Sequence, residues 1–170
     1  MFGVGTIDFA VYEDSVEFLG MASVTLPDKS QKVATVSGAG IGGDVEVPIV
    51  GHYDAMTVTL AFPVYTKRIA QLREHRTHQL ELRVAQQAEY PVTGTLVTDS
   101  VKHVFMVVPK KASGGTVAPA APNDATIEFS VRYWATFING EKVDEIDQLN
   151  RVDIVNGIDY NAEVRKALGK

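Results

Sequence analysis

The 170-residue chain has no cysteine. Disulfide staples and thiolate metal sites are therefore excluded, and the composition fits a reducing compartment or a protein with no redox chemistry. Positive charge is in the minority: 16 Lys and Arg stand against 21 Asp and Glu, a net charge of −5. A chain with that balance is not built as a whole to hold nucleic acid through phosphate contacts. No apolar run is long enough to span a membrane as a helix. The opening residues "MFGVGTIDFAVYED" lack a basic region and a long apolar stretch, so no signal peptide is expected. No G-x-S-x-G, H-E-x-x-H or P-loop occurs, and there is no cysteine nucleophile, so the enzyme reading has no positive support. What the chain does have is apolar content, 45%, enough for the core of one domain spanning 1–170.

That apolar content is arranged with period two. Between Thr126 and Phe137, Ile127, Phe129, Val131, Tyr133, Ala135 and Phe137 take one face; Glu128, Ser130, Arg132, Trp134 and Thr136 take the other. Leu80, Leu82 and Val84 alternate with Gln79, Glu81, Arg83 and Gln87; Met56, Val58 and Leu60 alternate with Thr57 and Thr59; Ile7, Phe9 and Val11 alternate with Thr6, Asp8 and Ala10. These are strands of an antiparallel sheet with one wet face. "HVFMVV" reads as a more continuously buried strand. One flanking helix is expected after Pro63, with Tyr65, Ile69 and Leu72 on its buried face. A short C-terminal helix is expected in "DYNAEVRKALG", with Asp159 or Asn161 as cap and Gly169 as stop. The fold class is mainly β (α+β), a β-sandwich or small barrel with helix packed on it.

The stretch "SGAGIGGDVEVP" contains a literal G-x-G-x-x-G at Gly38, Gly40 and Gly43. A dinucleotide loop must open a helix, whose N-terminus then carries the pyrophosphate. Here "DVEVPIVGHYD" follows, with β-branched residues at alternate positions, Pro48 and Gly51, which is a second extended run. No acidic residue lies about 20 residues on to hold a ribose. The glycines instead read as the tip of a long arm, residues 28–54. The arm is not polar like a disordered linker: Val33, Val36, Ile41, Val45, Val47, Ile49 and Val50 all need burial. A small domain has few ways to bury an outward-reaching arm, so a neighbouring subunit is the natural cover. A second loop, residues 109–124, is rich in Gly, Pro and Ala and reads as a mobile surface loop.

Candidate chemistry is sparse. His75 and His78 form H-x-x-H, but the chain turns from helix to strand between them and no third metal ligand is placed, so both are read as solvated. His52 and His103 have no evident partners. Lys67, Arg68, Arg73 and Arg76 make the helix basic, with Glu74 its one acid, and suit a solvated face or a protein interface. Near the C-terminus Asp144, Asp147, Asn150, Asp153, Asn156 and Asp159 recur every third residue. An EF-hand spaces its ligands every second residue and ends on glutamate, so this run reads as a docked, turn-rich segment with its polar side in water, and Asn156-Gly157 as a tight turn. No cofactor or metal is expected.

Two stretches carry a family likeness. "FLGMASVTLPDKSQKVATVSGAGIGG" and "YWATFINGEKVDEIDQLNRVDIVNGIDYNAEVRKALG" occur in order and cover a little over a third of the chain. Together they resemble the major tail tube proteins of contractile phage tails, in the P2-like family, and of related phage-tail-like bacteriocins. The resemblance implies a structural subunit that forms hexameric rings, stacked into a hollow tube inside a contractile sheath, with strands of neighbouring subunits joined into one barrel. It implies self-association, with sheath, tape-measure, baseplate and tail-terminator proteins as partners. DNA or effectors would pass through without specific binding. The place implied is the virion tail, assembled in the host bacterial cytoplasm.

On that reading Val33, Val36, Gly38, Gly40, Ile41, Gly43, Val45, Val47 and Ile49 form the inter-subunit arm. Thr57, Thr59, Gln79, Glu81, Arg83 and Gln87 are lumen-facing candidates, and Lys67, Arg68, Arg73 and Arg76 sheath-facing ones. The middle of the chain, 91–124, matches the family least. The alternative is a carbohydrate- or peptide-binding β-sandwich module, for which Trp134, on the polar face of its strand, is the one exposed aromatic candidate; an interface role explains that residue equally well.

Overall fold

The computed structural model describes residues 1–18, 20 and 23–170. Leu19, Met21 and Ala22, inside the first family-like stretch, lie outside the described residues. In chain order the strands are β1 (Phe2–Glu13), β2 (Val16–Phe18), β3 (Ser23–Thr25), β4 (Gln31–Val36), β5 (Val45–Tyr53) and β6 (Met56–Phe62). Helix α1 (Lys67–Gln71) follows, then β7 (His78–Glu89), β8 (Leu96–Ser113), β9 (Ala125–Ile138) and β10 (Glu141–Asp147). The chain closes with β11 (Val152–Val155), β12 (Ile158–Asp159) and α2 (Ala162–Ala167). All described pairings are antiparallel.

The main sheet runs β12-β11-β10-β9-β8-β7-β1-β2, with β6 and β3 branching from β9. The branch has a local cause. β8 follows β9 along its length, and Met106 pairs with Tyr133 while Val107 pairs with Val131. Arg132 is thus an extra residue, a β-bulge that bends the strand. On the far side of β9, residues 125–131 pair with β6 and residues 133–138 with β10. The sheet forks at the bulge. It stays open in the single chain, as a forked sheet and not a closed barrel, and is mostly strand, as the alternation predicted.

The bulge also corrects the assignment of faces. Before it Ile127, Phe129 and Val131 are buried, as expected; after it Trp134 and Thr136 turn inward. Trp134, read as a polar-face aromatic, is only 6% exposed. One inserted residue shifts the parity of the strand, so that Trp134 and Thr136 join Ala135, which stays buried as expected. The core gathers Met56, Val58 and Leu60 from β6, Leu80 and Leu82 from β7, Phe105 and Val107 from β8, and Phe129 from β9. "HVFMVV" alternates instead of being continuously buried, because Met106 points out at 44% exposure. Ile7 is exposed, sitting at a register shift in β1 between Thr6 and Asp8. Its expected companions Phe9 and Val11 do pack on the core.

The flanking helix is shorter than expected. It starts at Lys67 because Thr66 caps it, its Oγ1 accepting from the Ile69 N–H at 3.4 Å. Ile69 and Leu72 join the core, but Tyr65 precedes the helix and Arg73 and Arg76 lie in the turn after it. At α2 Asn161 takes the cap position without a side-chain cap bond, and Gly169 (φ +71°) follows the helix as expected. Asp159 accepts from the Asn161 N–H at 3.0 Å and pairs with Arg165. That pairing holds the Asp159 carboxyl below the usual carboxylate range. β8 extends to Ser113, so the expected loop 109–124 is shortened by its first five residues, 109–113. Its neck is tied, with Thr116 N–H donating to Asn123 O at 2.9 Å and Asn123 N–H donating to Pro63 O at 2.6 Å.

Candidate assembly interface

The arm is a two-stranded hairpin. Among the described residues β4 pairs only with β5, forming a sheet separate from the main one. The β-branched residues foreseen from the sequence supply the strands. The tip, 37–44, turns through Gly38, Gly40 and Gly43, whose φ values of +153°, +92° and +124° are open to glycine and hostile to other residues. Val33, Val36, Ile41, Val45, Val47, Ile49 and Val50 are each 39–52% exposed. By register Ala34, Val36, Val45 and Val47 share one face and Val33 and Pro48 the other; an isolated hairpin with exposed apolar residues is marginal in water, and such exposed apolar surface marks an interaction site.

The arm leaves the body at the fork. β5 ends at Tyr53, β6 starts at Met56 opposite Val131, and β10 ends at Asp147 opposite Tyr133. Its root is polar. Lys29 pairs with Asp144 and lies over the Trp134 ring, 4.1 Å from the centroid. Tyr53 donates to Asp153 Oδ2 at 2.9 Å. Burial lowers the Lys29 amine from its ordinary pKa, with the Asp153 charge working the other way; burial also raises the Tyr53 phenol. The C-terminal acids were expected in water, but Asp153 is 3% exposed. The β10–β11 hairpin puts the two carboxylates next to the incoming arm, a long-range contact that local spacing could not reveal. The Asn156-Gly157 turn that closes β11 on β12 is as expected, with φ +49° and +81°.

On the other side of the root, α2 abuts β5. Gly51 (φ +70°) is so close to Asn161 that a Cβ would sit 2.1 Å from its Oδ1. A cleft of about 490 Å³ opens beside this contact, between β5 and α2.

Two histidines thought to lie in water or without partners are core residues. His78 is fully buried; Nε2 lies 3.0 Å from Glu74 O and Nδ1 faces Glu13. Arg76 binds Glu13 at 2.9 Å and Glu74 at 3.0 Å, so this member of the basic set is engaged within the chain. His75 is exposed. His103 Nδ1 accepts from Trp134 Nε1–H at 3.2 Å and lies 3.1 Å from Thr136 Oγ1. Burial, and secondarily the Lys29 charge, hold its pKa at about 4. A signal existed for His103, since it pairs across the sheet with the inward parity of Leu82, but the bulge that turns Trp134 toward it left none.

The face opposite the core carries the polar residues of the strands. Gln79, Glu81, Arg83 and Gln87 occupy alternate positions of β7, and Thr57 and Thr59 the outward positions of β6. Arg83 lies over Tyr12 at 4.7 Å and Lys102 over Phe137 at 4.6 Å. Burial, and secondarily the bond that Tyr133 donates to Glu145 at 2.7 Å, push the phenol up to about 12. Charges of both signs are interleaved there. Lys67, Arg68 and Arg73 gather around α1, apart from the arm's root.

The described residues thus form an open, forked antiparallel sheet with a separate, half-exposed apolar hairpin, the architecture of a structural and not a pocket-centred protein. The model of the family phage tail tube protein FII matches residues 6–169, and the chain belongs to that family. It is 23% identical over 160 residues to the tail tube protein of Escherichia phage P2, covering 94% of this chain and 93% of the relative. Its fold is similar to a chain of the PVC sheath/tube terminator of an extracellular contractile injection system (TM-score 0.54, 12% identity, 77% of this chain and 94% of that one). It is also similar to a chain of the PVC sheath-tube complex in the extended state (TM-score 0.51, 13% identity, 76% and 87%). The resemblance read from the residues is the family the comparison finds. The protein is a structural tube subunit of a phage-type tail, not an enzyme.

Proposed function

We propose that the subunit forms hexameric rings that stack into a hollow tube within a contractile sheath, and that the tube is the conduit for DNA or effector passage. The observation that carries this reading is the arm: seven half-exposed apolar side chains on a hairpin whose strands pair with no other strand among the described residues. Burial against neighbouring copies removes that surface from water. Joining the open edges at β2, β3 and β12 to other copies removes unpaired backbone that otherwise invites aggregation. The partners we infer are further copies of this chain, the sheath, tape-measure, baseplate and terminator proteins. Assembly in the host bacterial cytoplasm belongs to the same reading.

The polar face with Thr57, Thr59, Gln79, Glu81, Arg83 and Gln87 suits a water-filled lumen. Interleaved charges on that face and a net negative chain offer DNA no continuous basic track, so phosphates slide. Lys67, Arg68, Arg73 and Arg76 are the sheath-facing candidates, Arg76 being also bound to Glu13 and Glu74. The test is limited proteolysis of residues 28–54 at rising protein concentration. Cleavage in the dilute subunit and protection in the sedimentable fraction support the proposal; equal cleavage in both contradicts it.

A further inference from the structure

The shaft of the arm is apolar and exposed, but its root is polar and partly buried, and the root is anchored on both sides of the hairpin. On the entering side Lys29 bonds Asp144 of β10 and covers the Trp134 ring. On the leaving side Tyr53 donates to Asp153 of β11, and Gln31 Nε2 donates to the Tyr53 oxygen at 3.4 Å. The backbone closes the base: Asp54 N–H donates to Ser30 O at 2.8 Å. Asp144 Oδ1 and Asp153 Oδ1 are buried and have no hydrogen-bond partner among the described residues. One buried carboxylate, Asp153, and one partly buried carboxylate, Asp144, therefore depend on one hydroxyl and one ammonium, both supplied by the arm. A buried carboxylate stripped of its partner is strongly unfavourable. Swinging the arm away would strip both at once.

We infer that Lys29 and Tyr53 are positioning residues that fix the direction of the arm before any neighbour binds. The arm is then a preset lever held by the body's own carboxylates, and not a tether that acquires its direction on contact. The inference rests on the arm being the assembly element. Its benefit there is preorganisation, because an arm already aimed loses less conformational freedom on docking. The other side of the root agrees. Gly51 lets β5 press against the buried Asn161 side chain at a distance no other residue would allow. The arm is thus held between β10–β11 and α2.

The absence of native cysteine makes the test direct. Glu46→Cys on the arm and Thr98→Cys on β8 are both exposed positions, and spin labels there report the arm-to-body distance in the dilute, full-length subunit. The wild-type background is expected to give one narrow distance distribution. Lys29→Met should widen it about twofold, and Tyr53→Phe by a smaller but measurable amount. A distribution already broad in the wild-type background, or one that neither substitution widens, overturns the inference. Should Lys29→Met fail to fold, Lys29→Met with Asp144→Asn removes both ends of the pair and relieves the stranded charge. A folded body with a widened distribution then supports the inference, and a wild-type width overturns it. Tube formation is scored separately on the unlabelled variants. Failure of the wild-type protein to form tubes would count against the tube reading alone, since the distance distribution decides the root.

Discussion

His103 makes stability depend on pH in a way that one substitution should abolish. Its Nδ1 accepts the Trp134 indole N–H at 3.2 Å, and an indole nitrogen can only donate. Adding a proton at Nδ1 would set two donors against each other inside the core, with the Lys29 charge nearby. Burial first and Lys29 second hold the pKa at about 4, below the ordinary 6.5. Between these values the unfolded chain binds a proton that the folded chain refuses. The stabilisation is therefore full above pH 6.5, is lost as the pH falls toward 4, and changes no further below that. The shift corresponds to about 3 kcal/mol across the window. His103→Asn keeps an acceptor near the Nδ1 position and does not titrate. Urea unfolding of the dilute monomer, followed by the fluorescence of Trp134, the single tryptophan, gives the stability of both proteins at each pH. The variant starts lower at pH 7.5 because the ring is lost, and the gap should close by about 3 kcal/mol by pH 4. Curves that stay parallel from pH 7.5 to 4 would refute the assignment of a neutral, accepting imidazole.

Four further outcomes are expected. Gly51→Ala puts a methyl within 2.1 Å of Asn161 Oδ1 at a left-handed φ; it should cost about 2–3 kcal/mol in the same unfolding assay, and an unchanged midpoint would contradict the packing of α2 on β5. His78→Ala strips Glu13 and the Glu74 carbonyl of their buried partner and should cost about 3 kcal/mol. Ile41→Asp at the exposed arm tip should leave monomer stability within about 0.5 kcal/mol of wild type while abolishing sedimentable tubes; tubes at wild-type yield would remove the tip from the interface. Glu81→Lys should leave tails intact but slow DNA delivery, and normal infectivity with intact tails would count against the lumen assignment.

The strands were legible because period-two patterning is enforced residue by residue wherever one face meets the core, as in β6 and β7. The arm was legible for the opposite reason: its apolar residues had no place to go in a single chain. What could not be read was the bulge at Arg132. A one-residue insertion has no composition signature, yet it moved Trp134 and Thr136 into the core, forked the sheet, and set the point from which the arm emerges. The arm's root was hidden likewise. Lys29 and Asp144 are distant in sequence, and the regular three-residue spacing of the C-terminal acids resembled a solvated turn-rich segment until β10 and β11 paired and turned Asp153 inward. The helix was overextended because Pro63 looked like a start, whereas Thr66 supplies the cap.

The central claim is that this chain is completed by copies of itself through the arm. Cryo-electron microscopy of the purified protein at rising concentration tests it most directly. The account predicts hollow stacked rings in which residues 31–53 are ordered against neighbouring subunits. Separate particles at every concentration, with an initiating partner supplied, or tubes in which the arm stands free in solvent, would contradict it.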